Sequence, residues 1–139
     1  MTLQQLSDRF EIHDLLAAYS HAIDTRDWDA LDNVFTPDAS IDYTAFGGPS
    51  GTLSEIKEFL ASALEGFVGF QHLVAAPLIV LEGDHATGKT YCHNPMVLAD
   101  GEGEKVWFLG LWYHDEFTRT PHGWRISHRH EERAYALMD

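Results

Sequence analysis

The N-terminal segment carries apolar side chains at intervals of three and four residues. They are Leu6, Phe10, Ile12, Leu16, Tyr19 and Ile23. This spacing predicts an α-helix over residues 3–23 with Tyr19 facing a core. Asp24 reaches the same interior only if the helix ends there and the chain bends. Asp27 is a suitable N-cap for a second helix, which favours such a bend.

The next segment mixes turn signals with one strand and a third helix. Residues 36–39 contain proline and aspartate and are predicted to form a turn, whereas residues 40–46 alternate as a strand does. Residues 52–55 are a capping-box sequence. The apolar residues that follow it recur at helical spacing and predict the third helix; they are Ile56, Phe59, Leu60, Ala63 and Leu64.

Long strands separated by turns make up the rest of the chain. The pattern predicts strands at residues 73–81, interrupted at Pro77, and at residues 86–98, 106–118 and 124–133. These lengths are typical of an antiparallel meander. Three helices followed by a meander predict an α+β fold, in which the helices pack on one face of a strongly curved, mostly antiparallel sheet and leave a pocket beneath them.

Composition restricts the class of protein. With 139 residues, 45% of them apolar, we expect one domain over residues 1–139. The net charge of −13 argues against nucleic acid as a partner, because binding to phosphates needs clustered Lys and Arg. Cys92 is the only cysteine, which favours a reducing compartment. No targeting segment or long apolar run is visible, so we expect a cytoplasmic protein without membrane contact.

Several short motifs along the chain, taken together, resemble one known family. They are Asp-Thr-Arg-Asp-Trp-Asp-Ala-Leu at residues 24–31, Pro37, Ile-Asp-Tyr at residues 41–43, Gln-His at residues 71–72, and His93. In these the chain resembles the scytalone dehydratase group of the SnoaL-like branch of the NTF2-like superfamily, and also its bile-acid dehydratases and hexachlorocyclohexane dehydrochlorinase. The resemblance implies a cone-shaped sheet around a pocket and a homo-oligomer, with a trimer favoured over a dimer.

The resemblance also implies roles for individual residues. Asp24 and His72 match the aspartate–histidine pair that these enzymes share. Tyr43 matches a tyrosine that holds a water near the substrate carbonyl, and His93 approximates a second catalytic histidine. Tyr19 matches the position of a tyrosine in the bile-acid dehydratases.

Substrate contacts are expected from a second group of residues, and two positions depart from the family pattern. The expected contacts are Arg129, which roughly matches an arginine of the dehydrochlorinase and bile-acid enzymes, together with Trp112, Phe46 and Phe59. Ile23 stands where scytalone dehydratase has a tyrosine, and Leu109 lies near the position of its pocket asparagine. The substrate is therefore expected to differ from scytalone.

The chemistry that these residues suit is elimination beside a carbonyl group. It needs a base and a donor to the oxygen that gains charge. A histidine oriented by a carboxylate is such a base, as His72 would be with Asp24. Tyr43, Tyr19 and His93 would polarise the carbonyl or protonate the leaving hydroxyl. The sequence thus predicts a lyase of the dehydratase type, or a related isomerase, that needs no metal or organic cofactor and acts on a hydrophobic, cyclic, oxygenated small molecule.

Other interpretations stay open on the sequence alone. Asp24 could simply cap the following helix, and Tyr19 and Tyr43 could be core residues. The whole protein could be a non-catalytic NTF2-like ligand-binding module or the small β subunit of a ring-hydroxylating dioxygenase. Residues 107–114 carry large apolar groups on both strand faces, so one face is expected to meet another subunit. His128 and His130 would share a strand face, but their pattern is not that of a metal motif, and no metal site is expected.

Overall fold

A computed structural model describes the whole chain, residues 1–139. Its helices are α1 (Leu3–Asp24) and α2 (Leu53–Ala63), with short 3₁₀ helices at Trp28–Asn33, Thr44–Phe46 and Leu64–Gly66. Its strands are β1 (Phe35–Asp42), β2 (Ser50–Thr52), β3 (Gly69–Phe70), β4 (Leu73–Glu82), β5 (His85–Asp100), β6 (Gly103–Thr120) and β7 (Gly123–Leu137). The predicted second helix is the first 3₁₀ helix, and the side chain of Asp27 caps it as expected.

The strands form one mixed sheet that curves around the helices. Its order is β2-β1-β7-β6-β5-β3, and β4 also pairs with β5. All neighbours are antiparallel except β1 and β7, which run parallel. Helix α1 packs against both β4 and β7 although β5 and β6 lie between them, so the sheet must wrap around the helix. The predicted α+β fold, with helices on the concave face of a curved, mostly antiparallel sheet, is confirmed.

A β-bulge in β7 changes which side chains face the concave side. Phe117 pairs with Ile126 and Glu116 pairs with His128, so Ser127 is an extra residue without a partner. Before the bulge, Trp124 and Ile126 are buried against the helices. After it, odd-numbered residues take over that side. The sequence pattern alone did not indicate this change.

The buried side of α1 differs from the prediction near its N-terminus. Leu6 and Phe10 are 43% and 65% exposed, so their assignment to the core was wrong. Asp8 faces the sheet instead, where its carboxylate accepts hydrogen bonds from the Arg119 guanidinium at 2.8 Å and from the Trp124 indole at 3.0 Å. The ion pair of Asp8 and Arg119 therefore occupies the position between helix and sheet where the sequence pattern predicts apolar side chains. From Ile12 onward the predicted core positions of the helix are buried.

Replacing Asp8 with asparagine is expected to lower the free energy of unfolding by about 2 kcal/mol at neutral pH, because hydrogen bonds to charged groups are lost while Arg119 keeps partial access to water. The hydrogen bonds from Arg119 hold the pKa of Asp8 well below its usual value. A carboxyl whose pKa is lowered in the folded state stabilises the fold at pH values above its unfolded pKa. The difference in free energy of unfolding between the wild type and Asp8→Asn should therefore become smaller as the pH falls below about 4. Urea denaturation measures it, with Asp14→Asn on the exposed side of α1 as the control. Equal losses in both variants would contradict the expectation.

The segment around β1 departs most from the prediction. Residues 36–39 are part of β1 and not a turn, and a register shift against β7 between Phe35 and Ser40 accommodates Pro37. The strand ends at Asp42, earlier than predicted. Its carboxylate accepts hydrogen bonds from the backbone and hydroxyl of Thr44, which turns the chain into a 3₁₀ helix. Tyr43 therefore lies at a bend and not within a strand.

The other predicted elements are present. Helix α2 begins with the predicted capping box of Thr52 and Glu55. The meander from β4 to β7 is confirmed, with an irregularity in β4 between Ala75 and Leu78, beside Pro77. Large apolar side chains stay exposed on the convex face, among them Tyr91 and Phe108, and contact with another subunit there stays a prediction. None of the helices combines the length and apolar character that crossing a lipid bilayer requires.

Candidate active site

A cavity of about 120 Å³ lies between the helices and the concave face of the sheet. Its wall is mostly apolar and includes Phe46 and Phe59, two of the residues expected to contact a substrate. Its polar side chains are Tyr19, Tyr43, His72, Asn94 and Glu131. A larger groove of about 610 Å³ lies along β4, β5, β6 and β7, but charged and polar side chains line most of it. The smaller cavity has the composition of a small-molecule site, with few polar groups on an apolar wall.

The carboxylate of Asp24 holds the imidazole of His72 at this cavity. Asp24 is the last residue of α1, and His72 lies between β3 and β4. The Asp24 Oδ1 atom is 2.7 Å from His72 Nδ1, and Asp24 Oδ2 accepts the backbone N–H of His72 at 3.0 Å. The carboxylate thus fixes the ring and places the proton on Nδ1, which leaves a lone pair on Nε2. The structure brings together the two residues that the resemblance paired.

Arg26 stabilises the bend that brings Asp24 to His72. Its backbone has a φ of 58°, in the left-handed region, so the chain reverses just after α1. Its guanidinium donates to the backbone carbonyls of Leu64 at 2.7 Å and Phe67 at 2.8 Å, and it lies over the ring of Phe70. These contacts connect the end of α1 to the segment that leads to His72. We had not predicted this role, since a lone arginine in a turn gives no recognisable signal.

Tyr19 and Tyr43 form a second polar group on the wall. Their hydroxyls hydrogen-bond to each other, and both side chains are buried. The ring of Tyr19 meets that of His72 edge to face, with centroids 6.4 Å apart. Burial raises the pKa of Tyr19 to about 12 and that of Tyr43 well above its usual value, so both are neutral donors at neutral pH. The hydroxyl that accepts the shared hydrogen bond keeps its own proton for a ligand oxygen.

Arg129 lies behind the tyrosines and does not line the cavity. Its side chain is fully buried and donates two hydrogen bonds to Asp115, at 2.7 and 2.8 Å. The guanidinium carbon is 3.8 Å from the ring centre of Tyr113 and 4.2 Å from that of Tyr19. The predicted substrate contact is therefore corrected. Arg129 acts on the site through Tyr19, whose pKa its charge lowers against the larger effect of burial.

Two other predicted site residues face away from the cavity. His93 lies on the convex face, where it stacks on Phe108 and its Nδ1 is 2.8 Å from the hydroxyl of Tyr135. Trp112 also lies there, beneath Lys89. Successive residues of a strand point to opposite faces, so the neighbour Asn94 takes the inward position. The predictions of a second catalytic histidine at His93 and of a substrate contact at Trp112 were therefore wrong.

Glu131 is a cavity residue that we had not assigned to the site. It follows Arg129 by two positions in β7, which places both side chains on the concave side. Burial raises the pKa of the Glu131 carboxyl to about 8, against the opposing charge of Arg129. The sequence offered a usable signal, because Arg129 had been placed inward and a strand repeats every second residue.

The histidines outside the cavity do not form a metal centre. The rings of His114 and His130 stack at 4.6 Å, and His128 Nδ1 lies 2.6 Å from the hydroxyl of Ser40. His114 Nε2 is 2.7 Å from a carboxylate oxygen of Glu132. No group of three or more His, Cys, Asp or Glu side chains is arranged to hold a metal ion. Within the core, burial raises the pKa of the Cys92 thiol to about 12, which is unfavourable for a nucleophile.

Comparison with known proteins agrees with this architecture. The sequence pattern of the SnoaL-like domain family matches residues 4–130 of the chain. An uncharacterized protein of Mycobacterium tuberculosis is 46% identical over 138 residues, which cover 99% of this chain and 93% of that protein.

Two solved structures from Novosphingobium aromaticivorans have the same fold. One, named as a candidate aromatic ring hydroxylase, is 29% identical with a TM-score of 0.85, covering 95% of this chain and 93% of that one. The other, named as a candidate scytalone dehydratase, is 17% identical with a TM-score of 0.87, covering 99% and 91%. The second likeness concerns the fold alone. The chain belongs to the SnoaL-like family.

Proposed function

We propose that the protein is a cofactor-independent lyase of the dehydratase type, acting on a small cyclic β-hydroxy ketone. The observation that carries this proposal is the His72–Asp24 pair at the wall of an apolar cavity. A carboxylate-oriented imidazole beside an apolar space is suited to removing a proton from carbon. The motifs at residues 24–31, 41–43 and 71–72, which resemble those of the scytalone dehydratase group, support this reaction class.

His72 is the base in this mechanism. Its Nε2 atom makes no hydrogen bond within the protein, whereas Nδ1 is committed to Asp24. As Nε2 takes the proton next to the substrate carbonyl, the imidazole becomes positively charged, and the Asp24 carboxylate stabilises that charge. The second oxygen of Asp24, bound to the His72 backbone, prevents the carboxylate from turning away.

The two tyrosines stabilise the oxygen of the substrate. Removing the proton moves negative charge onto the carbonyl oxygen, and a donor that is already oriented lowers the barrier to that step. Tyr19 and Tyr43 are fixed by their mutual hydrogen bond, and their raised pKa values keep both protonated. The charge of Arg129 behind Tyr19 polarises that hydroxyl further. The mostly apolar wall lowers the local dielectric constant and so strengthens each of these interactions.

The size of the cavity limits the substrate. Its volume of about 120 Å³ is slightly below that of the engineered apolar cavity of about 150 Å³ that binds benzene. The enclosed part of a ligand is therefore limited to about one ring, and larger substituents must extend towards the opening. The apolar walls, including Phe46 and Phe59, favour a ring with few polar groups.

Two reactions on one panel of ligands test the proposal. Single-ring β-hydroxy ketones should lose water and give conjugated enones, detected by their ultraviolet absorbance. The matching ketones without the hydroxyl should exchange the proton beside the carbonyl for deuterium in D₂O, detected by NMR. A His72→Gln variant is the blank for both reactions. If the wild-type protein binds such ligands but neither dehydrates nor exchanges any of them, the enzyme proposal is wrong and a ligand-binding module is indicated.

A further inference from the structure

The carboxyl group of Glu131 is placed to take part in the reaction. We propose that Glu131 is the acid that protonates the hydroxyl group as it leaves the substrate. The inference rests on the dehydration proposed above, and it fills a role that the sequence had given to His93. His93 cannot perform it, because its side chain lies on the convex face.

The geometry separates Glu131 from the neighbouring acidic residue. Glu131 lies on the concave face of β7 and lines the same cavity as His72. Glu132 points to the convex face, where its carboxylate binds His114 at 2.7 Å and Lys89 at 3.6 Å. Glu131 makes no hydrogen bond or ion pair within the protein. Burying a charged carboxylate without a hydrogen-bond partner destabilises the folded protein. The cost is smaller if the group is protonated, or if a ligand supplies the missing partner.

Base and acid lie on different sides of the cavity. His72 precedes β4, and Glu131 belongs to β7. In the sheet, β5 and β6 separate these two strands. A substrate ring between them can present its acidic C–H to His72 and its hydroxyl to Glu131. The tyrosine pair remains free to bind the carbonyl oxygen.

The surroundings of Glu131 keep its carboxyl group protonated at neutral pH. Burial is the main cause that raises the pKa of this carboxyl to about 8; the charge of Asp42 adds to it and that of Arg129 opposes it. Helix α2 contributes only apolar side chains to the cavity wall. Three ionisable groups share the cavity with Glu131: Tyr19 of α1, Tyr43 after β1 and His72 before β4. Other ionisable groups lie near enough for their charges to interact with it: Asp42 of β1, Cys92 of β5, Tyr113 of β6 and Arg129 of β7.

A carboxyl with this pKa is a better proton donor than either tyrosine. The phenol of Tyr19, with a pKa of about 12, holds its proton much more tightly. An acid works best when its pKa lies near the working pH, because it is then protonated yet gives up the proton readily. Arg129, two positions away on the same side of β7, stabilises the carboxylate that remains after the transfer.

The proposed step balances without a further reactant. His72 Nε2 takes the proton beside the carbonyl, and the electrons of that C–H bond form the new C=C bond. The C–O bond to the β-hydroxyl breaks, and its electrons accept the proton of Glu131, so that water leaves. The protein then holds a His72 imidazolium and a Glu131 carboxylate. Passage of one proton from the imidazolium to the carboxylate, through water, restores both groups.

The test compares Glu131→Gln with Glu132→Gln on a substrate that the wild-type protein dehydrates. Glu131→Gln keeps the size of the side chain but cannot donate the proton, so kcat should fall about a hundredfold with KM nearly unchanged. Wild-type kcat should decline as the pH rises through about 8, because the acid must be protonated. This alkaline decline should be absent in Glu131→Gln. Glu132→Gln should match the wild type in rate and in pH profile.

A second variant, Glu131→Asp, distinguishes loss of the acid from misfolding of Glu131→Gln. Glu131→Asp keeps an acid at the site, so it should retain the alkaline decline at a reduced rate. Wild-type-like kcat and an unchanged profile in Glu131→Gln, with His72→Gln inactive, would overturn this inference alone. Equal losses in Glu131→Gln and Glu132→Gln would overturn it too. If the wild-type protein dehydrates nothing, the proposed function is overturned and this inference with it.

Discussion

Replacing His72 with glutamine should lower kcat for dehydration by about a thousandfold, because general base catalysis contributes between about 10² and 10⁴ in rate. The amide of glutamine can still donate a hydrogen bond to Asp24, so the end of α1 keeps a partner. What disappears is the lone pair of His72 Nε2, which no other side chain of the cavity replaces. Deuterium exchange into the matching ketone should be lost in parallel, since it needs the same base.

The control for this variant is His85→Gln. His85 is exposed at the start of β5, outside the cavity, and its replacement should leave both reactions unchanged. Circular dichroism and thermal denaturation would show whether His72→Gln remains folded. A folded His72→Gln variant that exchanges and dehydrates at the wild-type rate would remove the basis of the proposed mechanism.

Replacing Asp115 with asparagine should lower the free energy of unfolding by about 3–5 kcal/mol, because it leaves the buried positive charge of Arg129 uncompensated. Both side chains of this pair are inaccessible to water, and Arg129 Nη1 already lacks a hydrogen-bond partner. The guanidinium is also enclosed by the rings of Tyr19 and Tyr113, which hold it in place. Urea denaturation at neutral pH measures the loss.

Glu116→Gln is the matched control, because Glu116 follows Asp115 directly in β6 and its side chain is exposed. It should change the free energy of unfolding by less than about 0.5 kcal/mol. A double variant, Asp115→Leu with Arg129→Met, removes both charges and should recover much of the loss, as apolar replacements of buried ion pairs commonly do. If Asp115→Asn is no more destabilising than Glu116→Gln, the buried pair does not support the cavity as described.

The sequence predicted best those features that depend on neighbouring residues. The capping box at Thr52 and Glu55, the N-cap at Asp27 and the turns of the meander all have local causes, and the structure contains them. The wrong assignments arose where a distant partner decides. Pro37 indicated a turn, but pairing with β7 keeps the segment extended.

The candidate site was predicted in the same uneven way. The pairing of Asp24 with His72 came from family resemblance, and the structure places the two side chains in contact. His93 was matched by its residue type, although Asn94 occupies the inward position. Resemblance identifies a residue type near a position, but only strand register decides which face it occupies. Glu131 was missed although its spacing of two from Arg129 on the same strand places both on one face.

The unpaired Ser127 in β7 determines the chemistry of both faces. If the alternation of Trp124 and Ile126 continued without interruption, His128 and His130 would point under the helices, and Arg129 and Glu131 would point to solvent. One inserted residue therefore places the Glu131 carboxyl on the cavity wall and the Arg129 guanidinium in the core behind it, and leaves the imidazoles of His128 and His130 outside. Within a lineage of such proteins, gain or loss of a single codon at this position would exchange the two sets of functional groups while the strand kept its neighbours, and reaction type could change without a new fold.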